Sequence, residues 1–339
     1  MIKKKALVTG ISGQDAAYLS KFLLERGYEV IGGERQNASR NLWRLKALGV
    51  DKKIKMIPFE LLDENNINKE IRRGNYDEVY NLAAQSYVDK SFASPIYTSN
   101  VNALGVIRIL EAIRQFSKKT KLYQASSSEM YGNTDIKFQD EKTHFKPISP
   151  YAISKLHAHW MLGLYRNAYN LYCSSGILFN HESPLRGDEF VSKKIVTDLV
   201  KVKYKKISCM YLGNIYARRD WGYSLDYVEA MWKMLQQKKA DDYVISSGIN
   251  QTVKSFVNEV AKNLKLDIKW TGQKLNEKAI NKKNNKIIIR IKKHLFRPIE
   301  IKSTYGNANK AKKNLKWVPK TDFKTLVKIM CDKELEKYK

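Results

Sequence analysis

Tyr151 and Lys155 stand four residues apart in SPYAISK, a spacing that puts both on one face of a helix. A cation beside a phenol stabilises the phenolate and draws a tyrosine pKa of ~10 towards neutrality. Such a phenolate can take a proton from a sugar hydroxyl while hydride leaves the same carbon. The pair gains weight from Ser126, Ser127, Ser128 and Glu129, which follow the strand-like run Lys121 to Ala125. Polar residues at the carboxyl end of a parallel strand face a ligand crevice. Near the N-terminus, Gly10-Ile11-Ser12-Gly13-Gln14-Asp15-Ala16 follows a strand-like run and opens a helix-like one. Glycines there let backbone N–H groups approach a pyrophosphate at the positive end of a helix. Its G-x-x-G-x-x-A spacing also suits a plain strand–helix turn. Glu34 and Arg35 end the next strand-like run. An acid there suits a ribose 2′-hydroxyl (NAD) and an arginine suits a 2′-phosphate (NADP), so the pair leaves both open.

These residues need a frame, and the first half of the chain supplies one. Strands are expected over 5–9, 28–33, 54–59, 76–82, 121–125 and 171–178. Helices are expected over 16–26, 63–73 (Asp63 as N-cap), 100–116 and 150–169 (Pro150 opening it). That alternation predicts an α/β fold: a Rossmann-type doubly wound parallel sheet. From about Asn180 the rhythm breaks into shorter elements, and 272–285 reads as a polar loop. The expected division is a cofactor-binding domain over 1–180 and a mainly substrate-binding lobe over 181–339. Later segments around 211–235 and 286–305 return to the first domain.

The chain has 339 residues, with 62 Lys+Arg against 34 Asp+Glu, a formal charge of +28. The basic residues are spread along it, densest from Lys274 to Lys316. No zinc finger, basic zipper or aromatic–basic interleaving accompanies them, so nucleic acid is not favoured as a partner. No apolar run nears the ~18 residues of a membrane span, and no signal-peptide core follows MIKKKALVTG. The three scattered cysteines lack metal spacing, and free thiols point to a reducing cytoplasm.

Taken in order, TGISGQD, NLAAQSYVDKSFASP, QASSSEMYG, SPYAISK, GILFNHESPLRG, YLGNIYARRDWG, LFRPIE and NLKWVP resemble the GDP-mannose 4,6-dehydratase family. This is a family of extended short-chain dehydrogenase/reductases. The resemblance covers about residues 4 to 330. It implies an NADP-dependent hydro-lyase that converts GDP-mannose to GDP-4-keto-6-deoxymannose. Tyr151 would be the base at the sugar O4, Ser127 its hydrogen-bonding partner, and Lys155 the holder of the nicotinamide ribose. Hydride would pass from C4 to the cofactor. Glu129 would then take the C5 proton and protonate the departing C6 hydroxyl before hydride returns to C6. For the cofactor the resemblance implies Gly10, Gly13, Gln14, Asp15, Arg35, Glu60, Leu61, Leu82, Ala83, Ala84, Ser86, Tyr97, His181 and Arg186. For the sugar nucleotide it implies Ser86, Asn180, Lys194, Arg219, Arg297 and Glu300, with the two arginines meeting at the diphosphate. It implies no metal, and a homodimer or homotetramer.

The chain also departs from the family pattern. Ala16 replaces the third glycine, Glu60 the usual Asp, and Leu185 a frequent Arg. The loop RQNASRNLWRL lacks the usual double-arginine serine run, and with Glu34 this keeps NAD open beside NADP. The alternatives are a GDP-manno-heptose 4,6-dehydratase, a GDP-4-keto-sugar reductase, or a non-catalytic nucleotide- or nucleic-acid-binding protein.

Overall fold

The structure is a computed structural model and describes residues 3–35 and 41–338. Residues 36–40, part of RQNASRNLWRL, lie outside the described residues.

The first half runs β1 (Lys5–Thr9), α1 (Gln14–Leu24), β2 (Glu29–Glu34), α2 (Trp43–Ala47), β3 (Lys55–Pro58), α3 (Glu64–Gly74) and β4 (Glu78–Asn81). It continues through α4 (Val88–Ala93), α5 (Pro95–Ser99), α6 (Gly105–Phe116), β5 (Lys121–Ser127), α7 (Pro150–Tyr169) and β6 (Cys173–Leu178). The six expected strands are therefore present. Asp63 caps α3 by accepting from the Asn66 amide at 3.0 Å, a bond worth about 1 kcal/mol. Ser149 caps α7 from the Ala152 amide, and Pro150 fills its first turn. The expected helix over 100–116 opens as a π turn, Asn100–Leu104, before α6.

The second half runs β7 (Asn180–Glu182), α8 (Val191–Lys203), β8 (Met210–Leu212), β9 (Arg218–Tyr223), α9 (Ser224–Leu235), β10 (Asp242–Ile245) and β11 (Asn250–Thr252). It ends with α10 (Val253–Asn263), β12 (Ile268–Thr271), β13 (Lys278–Asn281), β14 (Ile287–Ile291), α11 (Asn309–Leu315) and α12 (Phe323–Leu335). The stretch expected as a loop, 272–285, contains β13, paired with β12 and β14. β13 is an inner strand of the small sheet, with Ala279 buried and Lys278, Ile280 and Asn281 half-buried.

A seven-stranded parallel sheet, β10-β6-β5-β4-β1-β2-β3, carries helices on both faces. Neighbours along β1 face opposite ways: Ala6 and Val8 pack under α1 and α9, while Leu7 joins the cluster under α3, α6 and α7. The strand order reverses between β1 and β4, which opens a crevice outside the carboxyl ends of β1, β4 and β5. A three-stranded sheet (β11-β9-β7) and a four-stranded sheet (β12-β13-β14-β8) stand beyond that edge. Their core includes Trp221, Phe256, Ile289 and Leu326. Of the segments 211–235 and 286–305, expected to return to the first domain, α9 packs on the large sheet, whereas β8, β9 and β14 belong to the small sheets, with β14 paired to β8.

Candidate active site

The crevice is a cleft of about 580 Å³ between the large sheet and the small ones. Its floor is built by the strand ends. Thr9 Oγ1 donates to Asn81 Oδ1 at 2.6 Å and accepts from the amides of Leu82 and Ala83. Asn81 Nδ2 in turn donates to Gln124 Oε1 at 2.7 Å. This buried ladder locks together the turns after β1 and β4. Gly10 sits there at φ +64, and a Cβ on it would lie 2.8 Å from Ala83 Cα. Gly13 caps α1 without any side-chain bond. A turn with no room for a side chain at Gly10, against a helix N-terminus without a side-chain cap, fits the pyrophosphate of a dinucleotide.

β5 leads straight into a 3₁₀ turn, Ser128–Tyr131, whose Met130 and Tyr131 are buried anchors. Ser127 Oγ accepts from the Glu129 amide at 3.2 Å, which sets the Glu129 carboxylate in the cleft wall. α7 brings Tyr151 and Lys155 to the same wall. The electrical state of the pair differs from the expectation. Burial pushes the Tyr151 phenol up to about 12, assisted by the Glu129 charge and opposed by a hydrogen bond to Ser127. Burial also brings the Lys155 ammonium down to about 8. Its Nζ donates to the Ala125 carbonyl at 2.8 Å and lies 5.9 Å from the Tyr151 ring centre. Desolvation thus outweighs the lysine charge, and the phenol is not drawn towards neutrality in this state.

Asp15 and His181, far apart in sequence, form an ion pair at 2.7 Å. The other His181 ring nitrogen bonds the Phe179 carbonyl, and the ring stacks on Tyr227 at 4.7 Å. Burial works against charge on both members. Each nevertheless favours its charged form, because Asp15 faces His181 and Arg186, and His181 faces Asp15. Gln14 is committed to the same strap, donating to His181 O and accepting from Ser183 Oγ. Arg186 pairs with Glu182 at 3.1 Å and covers the Phe190 ring.

Leu82, Ala84, Ser86, Asn180 and Lys194 also line the cleft, with Lys194 paired to Asp198 at 2.5 Å. Ala83 contributes its backbone beneath Gly10. Arg35 is exposed at the end of β2 and donates to the Tyr97 hydroxyl at 2.9 Å. Glu60 and Leu61 follow β3. Leu61 is buried against Gly105, and the Glu60 backbone amide is held by Asn66 Oδ1. Gly10, Gly13, Gln14, Arg35, Glu60, Leu61, Ala83 and Tyr97 are not among the cleft-lining side chains.

Arg219 and Arg297 do meet. Both point at Glu300 Oε1, at 2.9 and 3.8 Å. Arg297 also lies 2.7 Å from Asp89 and 3.9 Å from Glu129. Burial lowers its readiness to hold charge, but Glu129, Asp89 and Glu300 together keep it above the ordinary arginine range. The segment 297–306 has no strand of its own and is tied down from β9. Arg219 bonds the Ile301 carbonyl, and buried Asp220 accepts from the amides of Ser247, Gly248 and Gly306. Sequence reasoning missed Asp89, Asp220 and Arg44. The last donates to the carbonyls of Leu185 and Ser12 and so braces the Gly10–Gly13 turn. None of the three belongs to a spacing pattern.

The fold and the cleft define the class, an extended short-chain dehydrogenase/reductase architecture. The dTDP-glucose 4,6-dehydratase of Streptomyces venezuelae superposes with a TM-score of 0.83 at 20% identity, over 98% of this chain and 97% of that one. A UDP-glucose 4-epimerase of Thermus thermophilus gives 0.80 at 23%, over 97% and 98%. Sequence goes further. The profile described as GDP-mannose 4,6 dehydratase matches residues 7–330. GDP-mannose 4,6 dehydratase 1 of Arabidopsis thaliana is 46% identical over 98% of this chain and 90% of its own. The GDP-mannose 4,6-dehydratase of Vibrio cholerae is 42% identical over 99% and 95%. The chain belongs to the GDP-mannose 4,6-dehydratase family. Among the described residues no helix is long and apolar enough to cross a membrane, and no cluster of His, Cys, Asp and Glu could hold a metal.

Proposed function

We propose that this chain dehydrates GDP-mannose to GDP-4-keto-6-deoxymannose with NADP as its resident cofactor. One observation carries the reading: a carboxylate, Glu129, shares the wall of the cleft with Ser127, Tyr151 and Lys155. Simple oxidation and re-reduction at C4 needs no acid/base beyond the tyrosine, whereas loss of water needs a second one. Held by the Gly10–Gly13 turn and Lys155, a nicotinamide would supply a hydride acceptor for C4 and a hydride donor for C6.

The chain's own residues do the rest. Tyr151 accepts the O4 proton as its phenolate, which the resting phenol, pushed up by burial, becomes only after losing its own proton; Ser127 orients it. Glu129 takes the C5 proton and passes a proton to the departing C6 hydroxyl. Lys155 holds the ribose. The Gly10–Gly13 turn, the Ala83 backbone and the Asp15–His181 strap form the dinucleotide cradle. Arg35 favours the 2′-phosphate of NADP. Arg219 and Arg297 face the diphosphate, and Asn180, Lys194 and Ser86 the remainder of the sugar nucleotide. Residues 1–180 with 224–235 and 242–245 serve the cofactor, and the remaining C-terminal portion serves the sugar nucleotide. We read the protein as cytoplasmic, on its unpaired cysteines, and as a homodimer or homotetramer.

The test is incubation of purified protein and NADP with GDP-mannose, followed by mass spectrometry. Loss of one water is expected. Turnover of a different nucleotide sugar with GDP-mannose left intact would reject the substrate assignment.

A further inference from the structure

Arg297 is shared among three carboxylates, and the sharing is unequal. Nε lies 2.7 Å from Asp89 Oδ1, while Nη1 lies 3.8 Å from Glu300 and 3.9 Å from Glu129. Asp89 stands in the first turn of α4, an element separate from the 297–306 segment that carries Arg297. Burial and then the Asp89 charge push the neighbouring Tyr87 phenol up, and the Tyr87 ring packs edge-on against Phe190. Glu300 already has a short partner in Arg219 at 2.9 Å.

We propose that Asp89 is a positioning residue that holds Arg297 off the Glu129 carboxylate. The proposal rests on the dehydratase reading for its catalytic consequence. Opposite charges near 4 Å attract strongly in a half-buried site. With Asp89 neutral, nothing opposes the pull of Glu129 and Glu300 on the guanidinium. Arg297 then closes onto them and donates to the Glu129 oxygens. Two functions suffer at once. Glu129 is tied to the guanidinium and becomes a weaker base for the C5 proton, and the guanidinium turns away from the diphosphate. Asp89 therefore keeps proton transfer and diphosphate binding on separate atoms, although only about one side chain's width separates them.

The experiment is a double-mutant cycle of Asp89→Asn and Arg297→Ala, read in two ways. The first reading is GDP binding by calorimetry on the NADP-loaded protein. Asp89→Asn is expected to weaken GDP roughly three- to tenfold when Arg297 is present and by less than about twofold in the Arg297→Ala background. A direct effect of the Asp89 charge on the diphosphate would instead strengthen GDP and persist without Arg297. Either of those outcomes overturns the proposal. The second reading is turnover of GDP-mannose. Asp89→Asn should slow water loss roughly tenfold while reduced nicotinamide accumulates, since oxidation at C4 does not use Glu129. Asp89→Glu should recover part of the rate. Slowed water loss without reduced cofactor would mean that the variant damages the whole site, and the proposal fails. A wild-type protein that binds GDP yet removes no water rejects the dehydratase reading, and the binding cycle still decides the place of Asp89.

Discussion

Glu129 carries the distinction between a dehydratase and its hydride-shuffling relatives, so the most direct prediction concerns its carboxylate. Glu129→Gln keeps the size and the hydrogen-bonding oxygen but cannot carry a proton. Water loss should fall ~10²–10⁴-fold while GDP and NADP still bind. Mass spectrometry of the product and calorimetry of the two ligands check this, and dehydration at the wild-type rate would remove Glu129 from the mechanism. Lys155 makes a second prediction through linkage. Its buried ammonium titrates near 8, below the ~10.4 of an unfolded chain. Between those values the native protein binds fewer protons than the unfolded one, so stability gains from this site as pH rises through that window. The melting temperature of wild type relative to Lys155→Met should therefore climb between pH 8 and about 10. A difference that stays flat with pH would show that the ammonium is not desolvated. The Tyr151 and Lys155 spacing and the SSSE run were legible because both are local patterns. Their charge balance was not, since it depends on how much water the folded cleft excludes. Nor was the Asp15–His181 pair, whose partners meet only because β1 and β6 end at one crevice.

The turn between β1 and α1 shows how an element can fix a site with almost no side chains. Gly10 is left-handed at φ +64, and the atoms facing it are Ala83 Cα and N, pinned by Thr9. An alanine there meets backbone that cannot yield, on top of ~1–2 kcal/mol for the left-handed conformation. Gly10→Ala should lower the melting temperature and weaken NADP. Gly13→Ala should do much less harm to the fold, because Gly13 has φ −76 and its nearest neighbour, Gly10 O, would lie 3.1 Å from the added carbon. Thermal melts of both variants with and without NADP distinguish the two positions; equal losses would refute the argument from crowding. The same strand–helix alternation made six strands readable to within a few residues. It failed for β10, where Asp242 to Ile245 follows α9 and pairs with β6, but lies in the stretch after Asn180 where short strands of the small sheets interrupt the alternation. It failed again for β13, where four half-buried to buried residues offer only Ala279 and Ile280 as an apolar signal between polar flanks. Segment 297–306 was readable only as a motif. Its geometry comes from side chains of β9 holding its backbone, and no local propensity encodes that.

At the scale of the molecule, +28 is spread over a surface that still carries one concentrated apolar feature. On α7, Ile153, Trp160 and Leu164 are 56%, 62% and 53% exposed. Their spacing of seven and four places them along one stripe of the helix, opposite the Tyr151 and Lys155 face. Beside it, Ile96 on α5 is 84% exposed, and Leu104 in the π turn is 46% exposed. An isolated surface leucine means little, but a contiguous stripe on the longest helix suits burial against a second copy. The helix that presents the catalytic pair inward would then be braced from outside, and oligomerisation would stiffen the site that Tyr151 and Lys155 occupy. The prediction is that the protein sediments as a dimer or tetramer at micromolar concentration. Trp160→Asp combined with Leu164→Asp should dissociate that contact by at least ~100-fold, because ~3 kcal/mol or more is lost when unpaired carboxylates are buried in an apolar seam. Both positions are exposed in the single chain, so the monomer should still fold and melt cooperatively, and the loss of the contact reads out first in mass. A wild-type monomer, or an oligomer that the double substitution leaves intact, would show that α7 faces solvent and that any assembly uses another surface.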